Sequence, residues 1–312
     1  MNAAKPLVSV VIETNQNDPD STISVGRVLG RLAEQTYPSE YTEVLVVVHD
    51  QANELAGFVQ DNHPFARVVR SGDPGYYPMK IAGAAQARGD VVAFIDSDTL
   101  PRSDWLERVV RTIEGGADVS VGAMRYEQGR RLARVRSFVD WGHIHGDENG
   151  RASNLLSNSA AFRRDVWERH PFDASLRRSG ACYLLGAELK RRGYVLTFDP
   201  EQRIFHRDCY VGRAYFERRL RAGYDSIQVG RRGRDAAEGK AMRAGPAAPL
   251  VIFAGRVVYD LRTLKRHRRE FDIRAAELPL FAAAAVGARF FELIGAGVEL
   301  VRPGWLERRL AH

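Results

Sequence analysis

The chain has 312 residues, 45% hydrophobic and 27% charged, which is the composition of a folded globular protein and excludes a disordered or fibrous one. Two cysteines, Cys182 and Cys209, rule out a disulfide framework and fit a reducing compartment; MNAAKPLVSVVIET carries no signal-peptide pattern, so a cytoplasmic location is expected. The net charge of +7 is concentrated between Arg203 and Arg274, where 18 basic residues stand against 8 acidic ones, a face suited to anionic partners or to plain solvation.

Apolar runs and helical patterns alternate through the first two hundred residues. Leu7 to Ile12 (LVSVVI), Val44 to Val48 (VLVVV), Ala66 to Ser71 (ARVVRS) and Val91 to Ile95 (VVAFI) read as strands. Between them STISVGRVLGRLAEQT, ANELAGFVQDN and MKIAGAAQARG have helical spacing of small and apolar residues. Continuously apolar strands separated by helices predict a doubly wound α/β sheet covered on both faces, with ligands at the carboxyl ends of its strands. Asp96 and Asp98 follow the fourth strand directly and so stand at the edge of that crevice. Two carboxylates one residue apart make an oxygen-rich site for a hard divalent cation that keeps water and substrate phosphates; a plain turn is the other reading.

Further along, Asp104 to Gly116 reads as a helix, Asp118 to Glu127 as a strand, RRDVWERHPFD and CYLLGAELKRRGY as helices, and VLTFDP as a strand followed by QRIFHRD. Gly230 to Pro249, rich in glycine, alanine and charge, reads as a loop or linker.

The order of these pieces resembles the family 2 glycosyltransferases, enzymes of the GT-A fold, over roughly residues 6 to 225. The segments PLVSVVIET, GYYPMKIAGAAQARGDVVAFIDSDTLP, NSAAFRRDVWERHPFD and GACYLLGAELKRRGYVLTFDPEQRIFHR carry the resemblance. It implies a Rossmann-like, doubly wound mixed sheet in a domain over residues 1–212, with a basic, apolar helical extension over 213–312. It further implies transfer of a sugar from a nucleotide-diphosphate donor, by an inverting route, to a glycolipid, polysaccharide or related acceptor, with Mn2+ or Mg2+. Matched by position, Thr14, Asp50, Lys80 and Asp96 are expected to bind the nucleotide sugar, His49 being the alternative to Asp50. Asp96, Asp98 and His206 are expected at the metal.

The chain departs from the family pattern at Glu13, where a proline is usual, at the pair Lys80-Ile81, where Arg-Asn is usual, and after the second strand, which reads HDQA. The acceptor-side Gly-Glu-Asp becomes Gly180-Ala181-Cys182, so a cysteine occupies the slot of the general base. An inverting transfer requires a group that takes the acceptor hydroxyl's proton, typically a carboxylate. Asp140, His143, His145, Asp147 and Glu148 of DWGHIHGDENG are the nearest pool; a loss of activity is the alternative. His143-x-His145 with nearby acids lacks the third close ligand of a zinc site.

Tyr215 to Arg231 reads as an arginine-rich helix. The stretch after it starts apolar and ends in the basic run Arg262 to Arg269, and Leu278 to Val301 has the length of a membrane span interrupted by Arg289, Glu292 and Glu299. A segment lying in the interface at an anionic membrane surface, on the inner face of the cell membrane, accommodates those charges better than a span; a soluble helical subdomain or dimer contact is the alternative. Two other classes compete with a transferase. A non-catalytic nucleotide-binding or scaffold protein draws on Cys182. A sugar-nucleotide nucleotidyltransferase lacks here its glycine-rich loop after the first strand, since the first glycine is Gly26. A nucleic-acid binder is set aside because no aromatic positions interleave with a basic sheet face.

Overall fold

The computed structural model describes residues 5–14, 20–127, 131–176, 178–207 and 212–309; Cys209 lies outside them. The chain divides into two compact units, one comprising Met1–Met124 with Ile144–Arg207 and the other Arg125–His143 with Asp208–His312. A single cut at residue 212 therefore differs from the contact pattern, which groups 125–143 with the carboxyl-terminal residues.

The first unit is built on an eight-stranded sheet in the order β3-β2-β1-β4-β7-β6-β8-β5. Its strands are β1 Val8–Glu13, β2 Thr42–His49, β3 Ala66–Ser71, β4 Val91–Asp96, β5 Thr99–Pro101, β6 Val119–Tyr126, β7 Ala160–Arg163 and β8 Leu196–His206. β1 pairs in parallel with β2 and β4, and β2 with β3, whereas β7 runs antiparallel to β4 and β6, and β5 antiparallel to β8. The sheet is mixed, as expected. Every residue of β1 and β4 is buried, which explains why both read as continuous apolar runs: helices cover both faces.

The helices of this unit are α1 Ser21–Ala33, α2 Asn53–Asn62, α3 Tyr76–Ala85, α4 Trp105–Glu114, α6 Arg164–Arg169 and α7 Ala181–Arg191, with α5 Arg131–Trp141 in the other unit. α4 shows how pattern becomes packing: Trp105, Leu106, Val109 and Val110 form one buried stripe. α3 lies flush on the sheet because Gly83 has no side chain; a Cβ there would overlap Val11 of β1 and Val47 of β2. Beneath it Phe94, Phe162, Trp167 and Phe172 pack ring against ring, with centroids 4.7 Å apart for Phe94–Trp167 and 5.0 Å for Trp167–Phe172.

Several elements differ from the sequence reading. β5 and β7 are short strands that no apolar run announces, and β7 is AAFR, whose alanines have little strand preference. The pieces VLTFDP and QRIFH form one strand, β8. The helix expected to begin at Met79 begins at Tyr76.

The second unit contains α5 with α8 Arg213–Arg232, α9 Ala237–Ala241, α10 Ala248–His267, α11 Leu278–Val301 and α12 Trp305–Arg309. Residues 230–249 are therefore helical for the most part, not a linker. Their glycines serve close packing: a Cβ on Gly230 would sit 2.8 Å from the Met242 side chain, and one on Gly239 would overlap the Gly233 carbonyl. The helical path is broken at residues 233–236, between α8 and α9, and again at Gly245, at φ 58°. α8 and α11 cross at backbone contact, since a Cβ on Gly223 would overlap the Glu292 carbonyl and one on Gly295 the Leu220 carbonyl.

The charges that interrupt the apolar segment point into this unit. Arg289 is held by Asp260 at 2.7 Å and by Glu292 at 2.8 Å; Glu292 also accepts from Arg219 at 3.2 Å and from Arg256 at 2.8 Å. Arg219 reaches Asp140 of α5, and Arg256 reaches Glu238 of α9 at 2.9 Å. The apolar residues Leu250, Val251, Val258 and Leu261 of α10, with Leu280, Val286, Phe290, Ile294 and Val301 of α11, face outward. The stretches Ala237–Phe271 and Ala275–Val301 are long and apolar enough, by length and composition, to cross a membrane.

Candidate active site

The carboxyl ends of β1 and β4 bring the chemistry together. The parallel register sets Glu13 directly opposite Asp96, and the Glu13 carbonyl accepts from Ser97 N at 2.9 Å, which starts the turn carrying Asp98. Thr99 closes that turn by donating to the Asp96 carbonyl at 2.7 Å.

Asp96 is bound from α3. The Lys80 ammonium, fully buried, donates to Asp96 Oδ1 at 2.6 Å and to the Ile95 carbonyl at 3.3 Å. The Tyr76 hydroxyl donates to the same carboxylate at 3.0 Å and lies 3.0 Å from Ser157 Oγ. Burial, reinforced by the Asp96 charge, raises Tyr76 well above the ordinary phenol range, so it is a neutral donor. Glu13 is buried too; desolvation first and then the Asp96 charge push its carboxyl up to about 8, against the pull of Lys80. No hydrogen bond to its side chain forms among the described residues.

Asp98 faces the other strand. β5 pairs with β8 so that Thr99 stands opposite His206, and His206 Nε2 lies 3.4 Å from Asp98 Oδ2. Nδ1 of His206 is 2.7 Å from the Arg207 carbonyl, which only accepts, so Nδ1 carries a proton and Nε2 is the nitrogen that faces the carboxylate. A carboxylate oxygen and an imidazole nitrogen so placed suit a divalent cation that keeps water and phosphate oxygens as its remaining ligands. Among the described residues no three His, Cys, Asp or Glu side chains gather into a metal-holding group; Asp96 is turned to Lys80 and Asp98 to His206.

The other expected residues are more dispersed. Thr14, fully buried, donates to the Val47 carbonyl at 2.7 Å and ties the end of β1 to β2. His49 ends β2, and Asp50 is exposed in the turn after it, two strands from Asp96. Cys182 is half-buried at the start of α7, its backbone N–H donating to the Tyr77 hydroxyl at 3.3 Å, with Gly180 before it in a left-handed conformation at φ 91°. Asp147 Oδ1 accepts from Asn149 N and Arg151 N, both at 2.8 Å, as a turn residue; Glu148 is exposed. His145 Nδ1 is 3.2 Å from the Gly146 carbonyl.

Asp140 and His143 fall within the second unit, and His145, Asp147 and Glu148 within the first. Asp140 is clamped between Arg219 and the Tyr126 hydroxyl at 2.6 Å; burial would raise its pKa, but the Arg219 charge lowers it below the usual carboxylate value. His143 is pushed down to about 3 by burial and then by Arg289 and Arg256. Both are poor proton acceptors at neutral pH. Sequence reasoning missed Tyr76 and Ser157, and passed over Glu13 as a site residue although its replacement of proline was visible.

Residues 24–170 of the chain match the family model described as Glycosyl transferase family 2. It is 27% identical over 239 residues to Glycosyltransferase AglE of Haloferax volcanii, covering 73% of this chain and 76% of that protein. A second Haloferax volcanii protein, Glucosyl-dolichyl phosphate glucuronosyltransferase, is 27% identical over 199 residues, 59% of this chain and 62% of its own length. Among solved structures, the mannosyltransferase PcManGT of Pyrobaculum calidifontis, in complex with GDP-Man and Mn2+, superposes with a TM-score of 0.62 at 19% identity, over 96% of this chain and 88% of that one. That likeness establishes the GT-A type of fold.

Proposed function

We propose that this glycosyltransferase moves a sugar from a nucleoside-diphosphate donor to a lipid-linked or polysaccharide acceptor, with inversion, at the cytoplasmic face of a membrane. The observation that carries the reading is the pair Asp98–His206 beside the Asp96–Lys80 clamp at the strand ends. Asp98 and His206 would hold Mn2+ or Mg2+, and the ion supplies Lewis-acid stabilisation of the diphosphate charge that grows as the glycosidic bond breaks. Lys80 and Tyr76 orient Asp96, and the buried ammonium offsets the Asp96 charge that would otherwise repel phosphate. Thr14 and Asp50 remain the proposed nucleoside contacts. The GDP-Man and Mn2+ of the Pyrobaculum enzyme support GDP-sugars and manganese as first probes, and the relative named for glucosyl-dolichyl phosphate supports a lipid-linked acceptor. The outward apolar faces of α10 and α11, with their charges paired inside, support a unit lying in the membrane interface.

For the base, Asp140 and Asp147 are committed to other partners, which leaves His145 and Glu148 as the groups to test. A second reading, a nucleotide-binding protein without transferase activity, rests on the thiol of Cys182 in the base slot. Release of nucleoside diphosphate from a panel of sugar nucleotides separates the two: turnover retained by Cys182→Ser and lost about 10²–10⁴-fold in one of His145→Ala or Glu148→Gln supports an active enzyme. Nucleotide binding with no turnover from the parent on any donor and acceptor supports the second reading.

A further inference from the structure

The end of α8 and the compact turn after it border an open cleft of about 440 Å³ lined by Gly230, Arg231, Arg234, Gly239, Met242 and Arg243, whose arginines are exposed. Such a volume holds a phosphorylated headgroup. The cleft is built by close packing, because Gly230 and Gly239 let α9 and the following turn sit on the backbone of α8's end. Its three arginines differ in their commitments. Arg231 is held by Glu299 at 2.7 Å, and Glu299 is fixed in turn by Gln228 at 2.9 Å and by Gly304 N at 2.7 Å. Arg234 and Arg243 have no carboxylate partner among the described residues. Of the two acids in this segment, Glu238 is turned away to Arg256 and Asp235 is exposed.

We propose that this cleft takes the phosphate of a membrane lipid, with Arg234 and Arg243 as its direct ligands and Arg231 as the fixed wall. Guanidinium forks match phosphate oxygens, and two without a carboxylate partner among the described residues leave the cleft charged until an anion enters. The lipid source follows from what comes next in the chain. α10 begins at Ala248 and exposes Leu250 by 59% and Val251 by 46%, and the outward stripe continues through Val258 and Leu261. A free anion gains nothing from that stripe, whereas a lipid uses the arginines for its headgroup and the apolar face for its chains. No aromatic ring lines the cleft, so bases of a nucleic acid have nothing to stack on.

The inference rests on the reading of this unit as membrane-facing, and one experiment separates the two. Full-length protein is floated with vesicles of phosphatidylcholine alone and of phosphatidylcholine with a minor share of phosphatidic acid, with inorganic phosphate as competitor. The parent, Arg234→Ala/Arg243→Ala, Lys265→Ala/Arg266→Ala and Val258→Ser/Phe290→Ser are compared, with melting temperature checking each fold. The arginine pair should weaken binding to phosphatidic acid vesicles about tenfold or more and leave binding to phosphatidylcholine alone unchanged. The control pair on α10, which removes the same charge, should weaken it far less, and the apolar pair should weaken both. Equal losses from the two charge-removing pairs, or no loss from Arg234 and Arg243, overturn the cleft while the membrane reading stands. Displacement by inorganic phosphate at concentrations comparable to the lipid phosphate overturns the lipid assignment. A parent that floats with neither vesicle contradicts the membrane reading itself.

Discussion

Buried away from water, the Lys80 ammonium has the Asp96 carboxylate at 2.6 Å, the Ile95 carbonyl at 3.3 Å and the Tyr76 ring 4.6 Å from its nitrogen. Removing the cation leaves a desolvated carboxylate with Tyr76 as its main donor. Lys80→Met should therefore lower stability by about 3–5 kcal/mol in urea unfolding, the usual effect of breaking a buried pair from one side. An unchanged midpoint would mean that Asp96 is solvated and the clamp carries no energy. Glu13 gives a second test at this scale. Its carboxyl holds its proton up to about 8 in the native state, against 4.5 for an unperturbed glutamate. Between those values the folded state carries the additional proton, so the contribution of this group is complete below about 4.5 and is lost as pH rises toward 8. Glu13→Gln removes the charge that must form, so the melting temperature of the variant should vary less over this interval and exceed the parent's at pH 8. A parallel profile in both proteins would place the Glu13 charge elsewhere. The identity of residue 13 was visible as a departure from proline; its position opposite Asp96 was not, because register between β1 and β4 joins residues some eighty positions apart.

α11 carries the same lesson for an entire element. Arg289, Glu292 and Glu299 looked like interruptions of an apolar helix, and they are buried: Arg289 and Glu292 in a network with Arg219, Arg256 and Asp260 from α8 and α10, and Glu299 against Arg231 of α8. Composition alone predicted cost; only the partners, distant in sequence, turn that cost into cohesion. Burial would raise the pKa of Glu292, but Arg289, Arg256 and Arg219 outweigh it and hold it at about 2. Its contribution is complete above about 4.5 and disappears as pH falls toward 2. Glu292→Gln should unfold in urea about 3–5 kcal/mol more easily at pH 7, and the difference from the parent should shrink in acid. A difference that stays constant down to pH 2 would contradict the ion pairing. α5 and residues 230–249 were hard to read for related reasons. Nearly the whole circumference of α5 from Val135 to Trp141 is buried, so it lacks the polar stripe that marks a helix in sequence. The glycines at 230 and 239 resemble loop punctuation, yet they serve contact between helices.

At the scale of the molecule, the parallel core β3-β2-β1-β4 was legible because buried parallel strands leave long β-branched runs. The antiparallel additions were less so, being short or defined by partners across the sheet. β5 is only three residues long, yet its pairing with β8 brings His206 to Asp98. The central claim is that this pair, beside the Asp96 clamp, holds a divalent cation that a nucleoside diphosphate shares. It is tested most directly by calorimetric titration of GDP and UDP into the parent and into Asp98→Asn, each with manganese and with a chelator. Tighter nucleotide binding with manganese by at least tenfold in the parent, and no such gain in Asp98→Asn with its melting curve intact, is the expected result. Equal affinity with metal and with chelator in the parent would contradict it.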